Sequence, residues 1–498
     1  MWPQARCSQT EQHDQHGLPW LGWHRRYSRL MINLLDHLAA ALGPGGVIIA
    51  PEDIAPFGTD WRGLVSNMPR AVLRPRDTAG VAAALRLCAA AGVPVVPQGG
   101  NTSMVAGAVP SRDGAELVLS LSRMNAVRAI DAAGLTMEVE AGVTLRAAQD
   151  AARDAGALLP LSIGSEGSAQ IGGVISTNAG GNNTLRFGNA RDLVLGLEVV
   201  LADGTIWNGL RRLRKDNTGY ALRQLFAGAE GTLGIVTAAV LRLARAPRQR
   251  QTCFCAIPSV EAALDLFARF RDEDEAALYA FEYISGAAMA VNQSYMPDFR
   301  LPLETASPHY VLLELATTRR RDPLRETMEA VLADALEAGV ITDAAIAESE
   351  AQRAAFWAIR EHLSESQRRA GASVKNDVSV PVAAVPSLLA RAAAMLGARH
   401  PGARMVAFGH IGDGNIHLNA LQPEDGDAAA FAARGEDLME DVNAIVMELG
   451  GSFSAEHGIG QIKTHAFGQL RSAAEREIMH RIRAALDPAA TLNPGKLF

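Results

Sequence analysis

Cysteine is scarce in this chain, with four residues (Cys7, Cys88, Cys253 and Cys255) in 498. That is too few for a disulfide framework at this length, and Cys253 and Cys255 lack a second pair with which to build a thiolate metal site. They are expected to be buried strand residues. Charge of one sign is also lacking: 47 Lys plus Arg stand against 54 Asp plus Glu, for a net −7. No run of five like charges occurs, so a nucleic-acid partner is excluded on charge. Long apolar runs are missing too, and none is expected to reach the ~18 residues of a transmembrane segment. The first thirty residues hold Gln, His and Arg but no hydrophobic signal core. A secretory leader is therefore not expected. The cytoplasm is the expected compartment, with peripheral attachment to the inner membrane as a variant. Residues 1–30 read as a disordered N-terminal extension or a misplaced start, because a cleaner helix opens at Met31 in "MINLLDHLAAAL".

What the chain does have is a globular balance, 48% hydrophobic and 20% charged residues, enough to bury cores in two large domains or three smaller ones. Glycine is the organiser. Of 46 glycines, 22 fall between Gly92 and Gly234, well above an even share. Such clustering costs backbone entropy and needs a reason, either tight turns or backbone brought against a ligand. Short apolar strands alternate with these turns ("VPVV", "ELVLSL", "LTMEVEAG", "GIVTAAVLRL"), and Asp77 or Thr78 is placed to cap a helix over "AGVAAALRLCAAAG". From about residue 247 helices and strands alternate differently, with a long helix expected from Gln352 to Arg369. The pattern predicts an α+β protein of two α+β units, without internal repeats.

Three glycine segments are candidates for a phosphate-bearing cofactor. Pro97, Gln98, Gly99, Gly100, Asn101, Thr102 and Ser103 follow an apolar strand, and successive N–H groups there can form an anion nest. "SIGSEGSAQIGGVISTNAGGNNTLRFG" from Ser162 to Gly188 and "GAEGTLGIVT" from Gly228 to Thr237 repeat the theme. Neither the G-x-x-x-x-G-K-[ST] nor the G-x-G-x-x-G pattern occurs, so a P-loop NTPase and a Rossmann domain are both disfavoured.

The C-terminal third carries a histidine cluster. In "MVAFGHIGDGNIHLNAL" the central Gly-Asp-Gly reads as a turn between two strands, bringing His410 near His417. Asn419 shares the strand face of His417. Glu456 and His457 follow in "SAEHGIGQIK". Two imidazoles and a carboxylate make a sound first shell for a divalent metal, although isolated strand histidines are more often plain core residues, and the residues alone leave the choice open. Arg360 and Ser364 are four apart on a predicted helix, hence on one face. Lys375 lies in the alternating "ASVKNDVSVP". His362 and His465 read as structural.

"PQGGNTS", "IGGVISTNAGG", "KDNTGYALRQLFAGAEGTLGIVT" and the closing "LNPGKLF" resemble the FAD-binding domain of the vanillyl-alcohol oxidase/p-cresol methylhydroxylase superfamily. The likeness covers about residues 31–498 and is strongest to its D-2-hydroxyacid dehydrogenases, the D-2-hydroxyglutarate, D-lactate and glycolate oxidase flavoprotein type. It implies an FAD-binding domain of the p-cresol methylhydroxylase type, with two α+β subdomains, over residues 31–246. An α+β ferredoxin-like substrate or cap domain with C-terminal helices would follow over 247–486, and residues 487–498 would return to the FAD domain. It implies FAD held by residues 97–103, Ser162, Gly164, Gly172, Gly173, Thr177, Asn178, Gly180, Glu230, Gly231, Gly234, Ile235 and Asn493. "SIGSEGSAQ" departs from the family's usual Asp-Pro or Gly-Ser at that place. Residues 89–252 contain neither His nor Cys, so non-covalent FAD is expected.

The same resemblance implies His410, His417 and Glu456 as ligands of a divalent metal, zinc by preference, His457 as general base, and Arg360, Ser364, Lys375 and Asn419 as substrate contacts. Relatives often have Thr where Ser364 stands. The expected reaction is metal-assisted deprotonation of a D-2-hydroxy acid (2-hydroxyglutarate, malate or lactate), with hydride transfer to FAD giving the 2-oxo acid. Arg360 together with Lys375 leans the substrate toward a diacid. The electron acceptor, whether electron-transfer flavoprotein, quinone or cytochrome, is written in no motif, and a homodimer is neither required nor opposed. A flavin alcohol oxidase using oxygen is the competing activity. The histidine cluster argues against it, and against a non-catalytic flavoprotein subunit.

Overall fold

The computed structural model describes residue 31 and residues 33–498. The expected extension, residues 1–30, lies outside the described residues. Two sheets are built from the glycine-rich region. In the first, Val47–Ile48, Ala71–Leu73, Leu117–Ser120 and Val95–Gln98 lie in that spatial order. The last three are parallel. In the second, Val127–Asp131, Thr136–Glu140, Ile235–Arg242, Val194–Val200 and Ile206–Gly209 form an antiparallel set. Helix Thr78–Ala91 packs on the first sheet. Asp77 is its cap, accepting from the Gly80 N–H at 2.7 Å, and Gly92 ends it in the left-handed conformation at φ 63. Such a cap stabilises a helix by about 1 kcal/mol.

The second half is one eight-stranded sheet. Its strands run Asp343–Ile346, Gln249–Ile257, His309–Thr317, Leu278–Ser285, Arg404–Gly409, Asn415–Leu421 and Ser373–Val374 across the sheet, with Asp377–Ser379 also paired to Asn415–Leu421. The first four, taken with helices Val260–Asp274 and Leu324–Glu337, form an antiparallel βαββαβ unit in the spatial order 4-1-3-2, which is ferredoxin-like. Side chains alternate between two cores, as the strand period of two requires. Cys253, Cys255 and Ile257 enter one core, with helices Val260–Asp274, Leu324–Glu337, Val385–Arg399 and Gly435–Glu448. Phe254 and Ala256 enter the other, beneath Gly286–Tyr295, Glu350–Glu361 and Leu363–Ala370. This alternation explains the cysteines: they are small apolar strand residues, fully buried.

Two expectations are corrected here. The long helix over 352–369 is two helices, Glu350–Glu361 and Leu363–Ala370, meeting at His362. One stretch, Val382–Arg399, does reach the length and mean hydropathy of a membrane crossing. Its buried residues Val385, Leu388, Leu389, Ala392 and Leu396 belong to the core of the eight-stranded sheet.

The C-terminal segment ties back to the first sheet. Val95 donates its N–H to Thr491 O and accepts from Asn493 N–H, each at 2.8 Å. Lys496 is fully buried 3.8 Å from Glu116, and burial pulls its pKa down to about 8.

Candidate active site

Strands Arg404–Gly409 and Asn415–Leu421 form the expected hairpin, with Phe408 opposite His417. The rings of His410 and His417 lie 5.9 Å apart, and that of His457 stacks 6.1 Å from His417. One ligand atom from each of His410, His417 and Glu456 falls within 4.8 Å of the others, and so does the set Asp377, His417 and His457. The sequence therefore brings together all four expected residues of the metal and base cluster.

Two buried carboxylates that sequence reasoning missed hold this cluster. Glu282, on strand Leu278–Ser285, accepts from His410 Nδ1 at 2.5 Å and from Arg360 Nε at 2.7 Å. Burial alone would raise its pKa, but the charges of His410 and Arg360 outweigh that and hold it near 2. On His410 burial works downward, and the Glu282 charge overrides it to give about 9. A carboxylate on one ring nitrogen leaves the other aimed outward, the usual support of a metal-ligating histidine. His410 Nε2 is 3.9 Å from Glu456 Oε1.

Asp377 is the second carboxylate. It is wholly buried and accepts the backbone N–H groups of Glu456 at 2.7 Å and His457 at 2.9 Å, and an Asn415 side-chain N–H at 2.9 Å. Its oxygens stand 3.6 Å from His417 Nδ1 and 3.7 Å from His457 Nδ1. Burial would raise its pKa, yet the charges of His457, His417 and Lys463 hold it far below the ordinary carboxylate range. Burial lowers His417 to about 3 and also lowers His457, so both imidazoles are neutral at pH 7. Burial raises Glu456 to about 7. Neutral His417 and a Glu456 carboxylate whose negative charge is poorly compensated suit a divalent cation, which would displace the second ring proton of His410.

A glycine-rich face closes over the cluster. A Cβ at Gly180 would run into Glu456 Oε1, so only glycine lets that backbone approach so closely. Glu230 clamps the other side, accepting from Ile459 N–H and Gly460 N–H at 2.7 Å each.

The candidate cofactor residues separate into two groups. Gly164 and Gly173 face open space, where an added Cβ would touch nothing within 4 Å. Gly173 sits on the short helix Ile171–Ser176, where a Cβ added to Gly172 would instead come within 2.8 Å of Ala141 Cβ. Ser162 and Thr177 lie on the same open segment; the Ser162 hydroxyl donates to Glu166 at 2.6 Å and the Thr177 hydroxyl to Gly173 O at 3.1 Å. Asn101 and Asn178 both take positive φ, 51 and 52, which turns their loops back on themselves. Gly99, Thr102 and Ser103 continue the loop after Val95–Gln98, and the Ser103 hydroxyl accepts the Gly107 N–H at 3.1 Å. An exposed glycine backbone of this length suits an extended, phosphate-bearing ligand such as FAD.

Other expected contacts are occupied by the fold itself. The Gln98 amide donates to Phe57 O and Ala108 O. Asn493 donates to Gly107 O and Glu230 O. Gly100 passes against Ser168 and Gly231 against Pro97, and a Cβ added to Gly234 would come within 2.7 Å of Val199. Ile235, which opens a strand of the second sheet, is buried in the core that packs against the first. These positions shape the cradle.

The substrate set is only partly assembled. Arg360 is buried and paired to Glu282, with its guanidinium 4.8 Å over the Phe408 ring, so it is not a free cation. Ser364 is exposed, whereas Arg360 is buried, and the helix is interrupted between them at His362. The Asn419 amide is engaged by Gln367 at 2.9 Å and by Asn376 N–H at 3.2 Å. Lys375 falls between the short strands Ser373–Val374 and Asp377–Ser379. Burial first, and then the charge of Arg62, lower its pKa to about 8. His362 is exposed, and His465 is 62% exposed and 3.8 Å from Glu440.

Comparison with known proteins agrees with this architecture. Residues 246–497 match the family "FAD linked oxidases, C-terminal domain", and residues 69–209 match "FAD binding domain". The chain is 38% identical to D-2-hydroxyglutarate dehydrogenase of Xanthomonas citri pv. viticola, over 90% of this chain and 93% of that protein. It is 37% identical to the mitochondrial D-2-hydroxyglutarate dehydrogenase of Bos taurus, over 93% of this chain and 83% of that one. In fold it matches p-cresol methylhydroxylase with a TM-score of 0.74 at 17% identity, covering 94% of this chain and 96% of that one. The 4-ethylphenol oxidase of Gulosibacter chungangensis matches at 0.70 and 17%, covering 94% and 97%.

Proposed function

Since this chain belongs to the FAD-linked oxidases and stands close to the D-2-hydroxyglutarate dehydrogenases among them, we propose that its histidine–carboxylate cluster deprotonates the substrate hydroxyl. The activity is FAD-dependent oxidoreduction at the CH–OH group of a D-2-hydroxy acid. The observation that carries the site assignment is the joint placement of His410, His417, Glu456 and His457 against the glycine-rich face at Gly180.

FAD would be held, without a covalent link, by the loop from Gly99 to Ser103 and by the open backbone around Gly164 and Gly173. His410, His417 and Glu456 would hold a divalent cation, zinc by its affinity for such a set. When bound, FAD supplies the two-electron redox chemistry and the cation supplies Lewis acidity toward a hydroxyl. His457 turns Nδ1 toward Asp377 and leaves Nε2 to accept the hydroxyl proton. Its pKa, lowered by burial, keeps it neutral and ready as a base. Lys375 offers a charge to a substrate carboxylate. Asp377 fixes His457 through its backbone as well as its ring.

The test is anaerobic bleaching of the flavin against a panel of D- and L-2-hydroxy acids. Bleaching by D-acids with little by L-acids is expected. Bleaching by phenols or simple alcohols instead would refute the reading.

A further inference from the structure

Arg62 lies 313 positions before Lys375 in the chain, in a loop that no cofactor or metal motif includes. The loop is a built structure. Thr59 and Ser66 pair across it, and Asp60, buried at its centre, accepts the N–H groups of Arg62 at 2.9 Å and Val65 at 2.6 Å. It is pinned to the candidate phosphate loop, because the Asn101 side chain donates to Thr59 O at 2.9 Å. Arg62 Nη1 reaches Met104 O at 3.4 Å. The next carbonyl, Val105 O, accepts Gln461 N–H at 2.9 Å, four residues after His457. Lys375 approaches His457 from the opposite half, two residues before the Asp377 that grips the His457 N–H.

Neither Arg62 nor Lys375 makes an ion pair among the described residues. Arg62 is half-buried and its charge is felt by Lys375, Lys463 and His457. Asp60, the nearest carboxylate in sequence, is occupied by backbone N–H groups. Asp60 lends Arg62 its charge, yet two partly desolvated cations with no ion-pair partner are unfavourable unless a ligand supplies one. The other buried cations near the site are engaged: Arg360 has Glu282, and Lys463 donates to Phe453 O and feels the charges of Asp377 and Glu230.

We infer that Arg62 and Lys375 form a second anion subsite beside His457, which takes the far carboxylate of a dicarboxylic 2-hydroxy acid, and that Arg62 sets the preference for diacids over monoacids. This rests on the D-2-hydroxy acid activity proposed above and deepens it. A charge-assisted hydrogen bond to a carboxylate is worth about ten- to a hundredfold in affinity.

The experiment compares kcat/KM for D-2-hydroxyglutarate and D-lactate in the wild-type holoenzyme, Arg62→Gln and Arg62→Lys, with flavin content and Tm as controls for folding. The diacid-to-monoacid ratio is expected to fall about ten- to a hundredfold in Arg62→Gln and to recover in part in Arg62→Lys. Binding of 2-oxoglutarate, read from the flavin spectrum, should weaken in parallel. An unchanged ratio in Arg62→Gln overturns the subsite. A wild-type enzyme that oxidises D-lactate and ignores the diacid also overturns it, while leaving the general activity standing. A wild type whose flavin no D-2-hydroxy acid can reduce removes the activity itself and the subsite with it.

Discussion

Glu282 Oε1 and His410 Nδ1 stand 2.5 Å apart, and the same carboxylate holds Arg360. One buried anion thus orients a candidate metal ligand and neutralises a neighbouring guanidinium. Glu282→Gln keeps the shape but leaves two buried cations without their counter-charge, so a destabilisation of about 3–5 kcal/mol is expected. The pH dependence has two limbs. Glu282 is held near 2 against ~4.3 unfolded, so its contribution is complete above ~4.3 and is lost as pH falls toward 2. His410 is raised to about 9 against ~6.5 unfolded, so its contribution is complete below ~6.5 and is lost as pH rises through 9. Urea midpoints of wild type and Glu282→Gln should differ most between pH ~4.3 and ~6.5, and the gap should narrow as pH rises through 9, leaving the part that Arg360 supplies. A gap that keeps growing up to pH 9 would contradict the pairing.

Asp377 acts on His457 through both its backbone N–H and its ring. In Asp377→Asn the geometry is largely retained and the charge is lost. That charge raises the His457 pKa, so its removal should shift the acid limb of kcat/KM to lower pH. Turnover should fall by about a hundredfold or more. A pH–rate profile of the variant decides the matter, since mere loss of folding would lower the whole curve without moving its limb.

His457→Ala should keep the oxidised flavin spectrum and stop its bleaching by substrate. The flavin segments do not include residue 457, and the proton would have no acceptor at Nε2. Full reduction by substrate in this variant would assign the base elsewhere.

Metal dependence follows from the donor set. His417 is kept neutral by burial, with a pKa near 3, and Glu456 is a carboxylate that burial raises to about 7. Exhaustive dialysis against EDTA should remove activity and leave the flavin bound, with zinc restoring it. Glu456→Gln should weaken metal retention, measured by elemental analysis, by about ten- to a hundredfold. Undiminished activity in a metal-free preparation would dismiss the cation from the chemistry.

The glycine segments, the histidine hairpin and the Glu456–His457 pair were legible because each is local: a turn chemistry, a strand alternation, a short spacing. Glu282 and Asp377 were not, because their partners lie 128 and 80 positions away and only the folded sheet joins them. A signal was present all the same. "LYAFEYIS" is an eight-residue buried strand carrying one charge, and a carboxylate in such a strand must be paired. The interruption at His362 was not legible either, since nothing in "FWAIREHLSESQRR" marks it. Not legible was that at Gly100, Gly172 and Gly234 the missing side chain makes room for the protein's own atoms.

Lys375 gives the most direct pH test of substrate binding. Its ammonium is lowered to about 8, first by burial and then by the like charge of Arg62. The cation therefore exists below pH 8 and is lost above it, and attraction for a carboxylate goes with it. In the free enzyme kcat/KM should decline above about pH 8. A bound carboxylate favours the charged form, so the same limb in kcat should lie at higher pH. Lys375→Arg holds its charge throughout, since guanidinium stays protonated above pH ~12. The alkaline limb of kcat/KM should vanish in that variant, even where the changed shape lowers the plateau. If the limb persists in Lys375→Arg, the titrating group is another one, and Lys375 does not supply the charge that draws the substrate in.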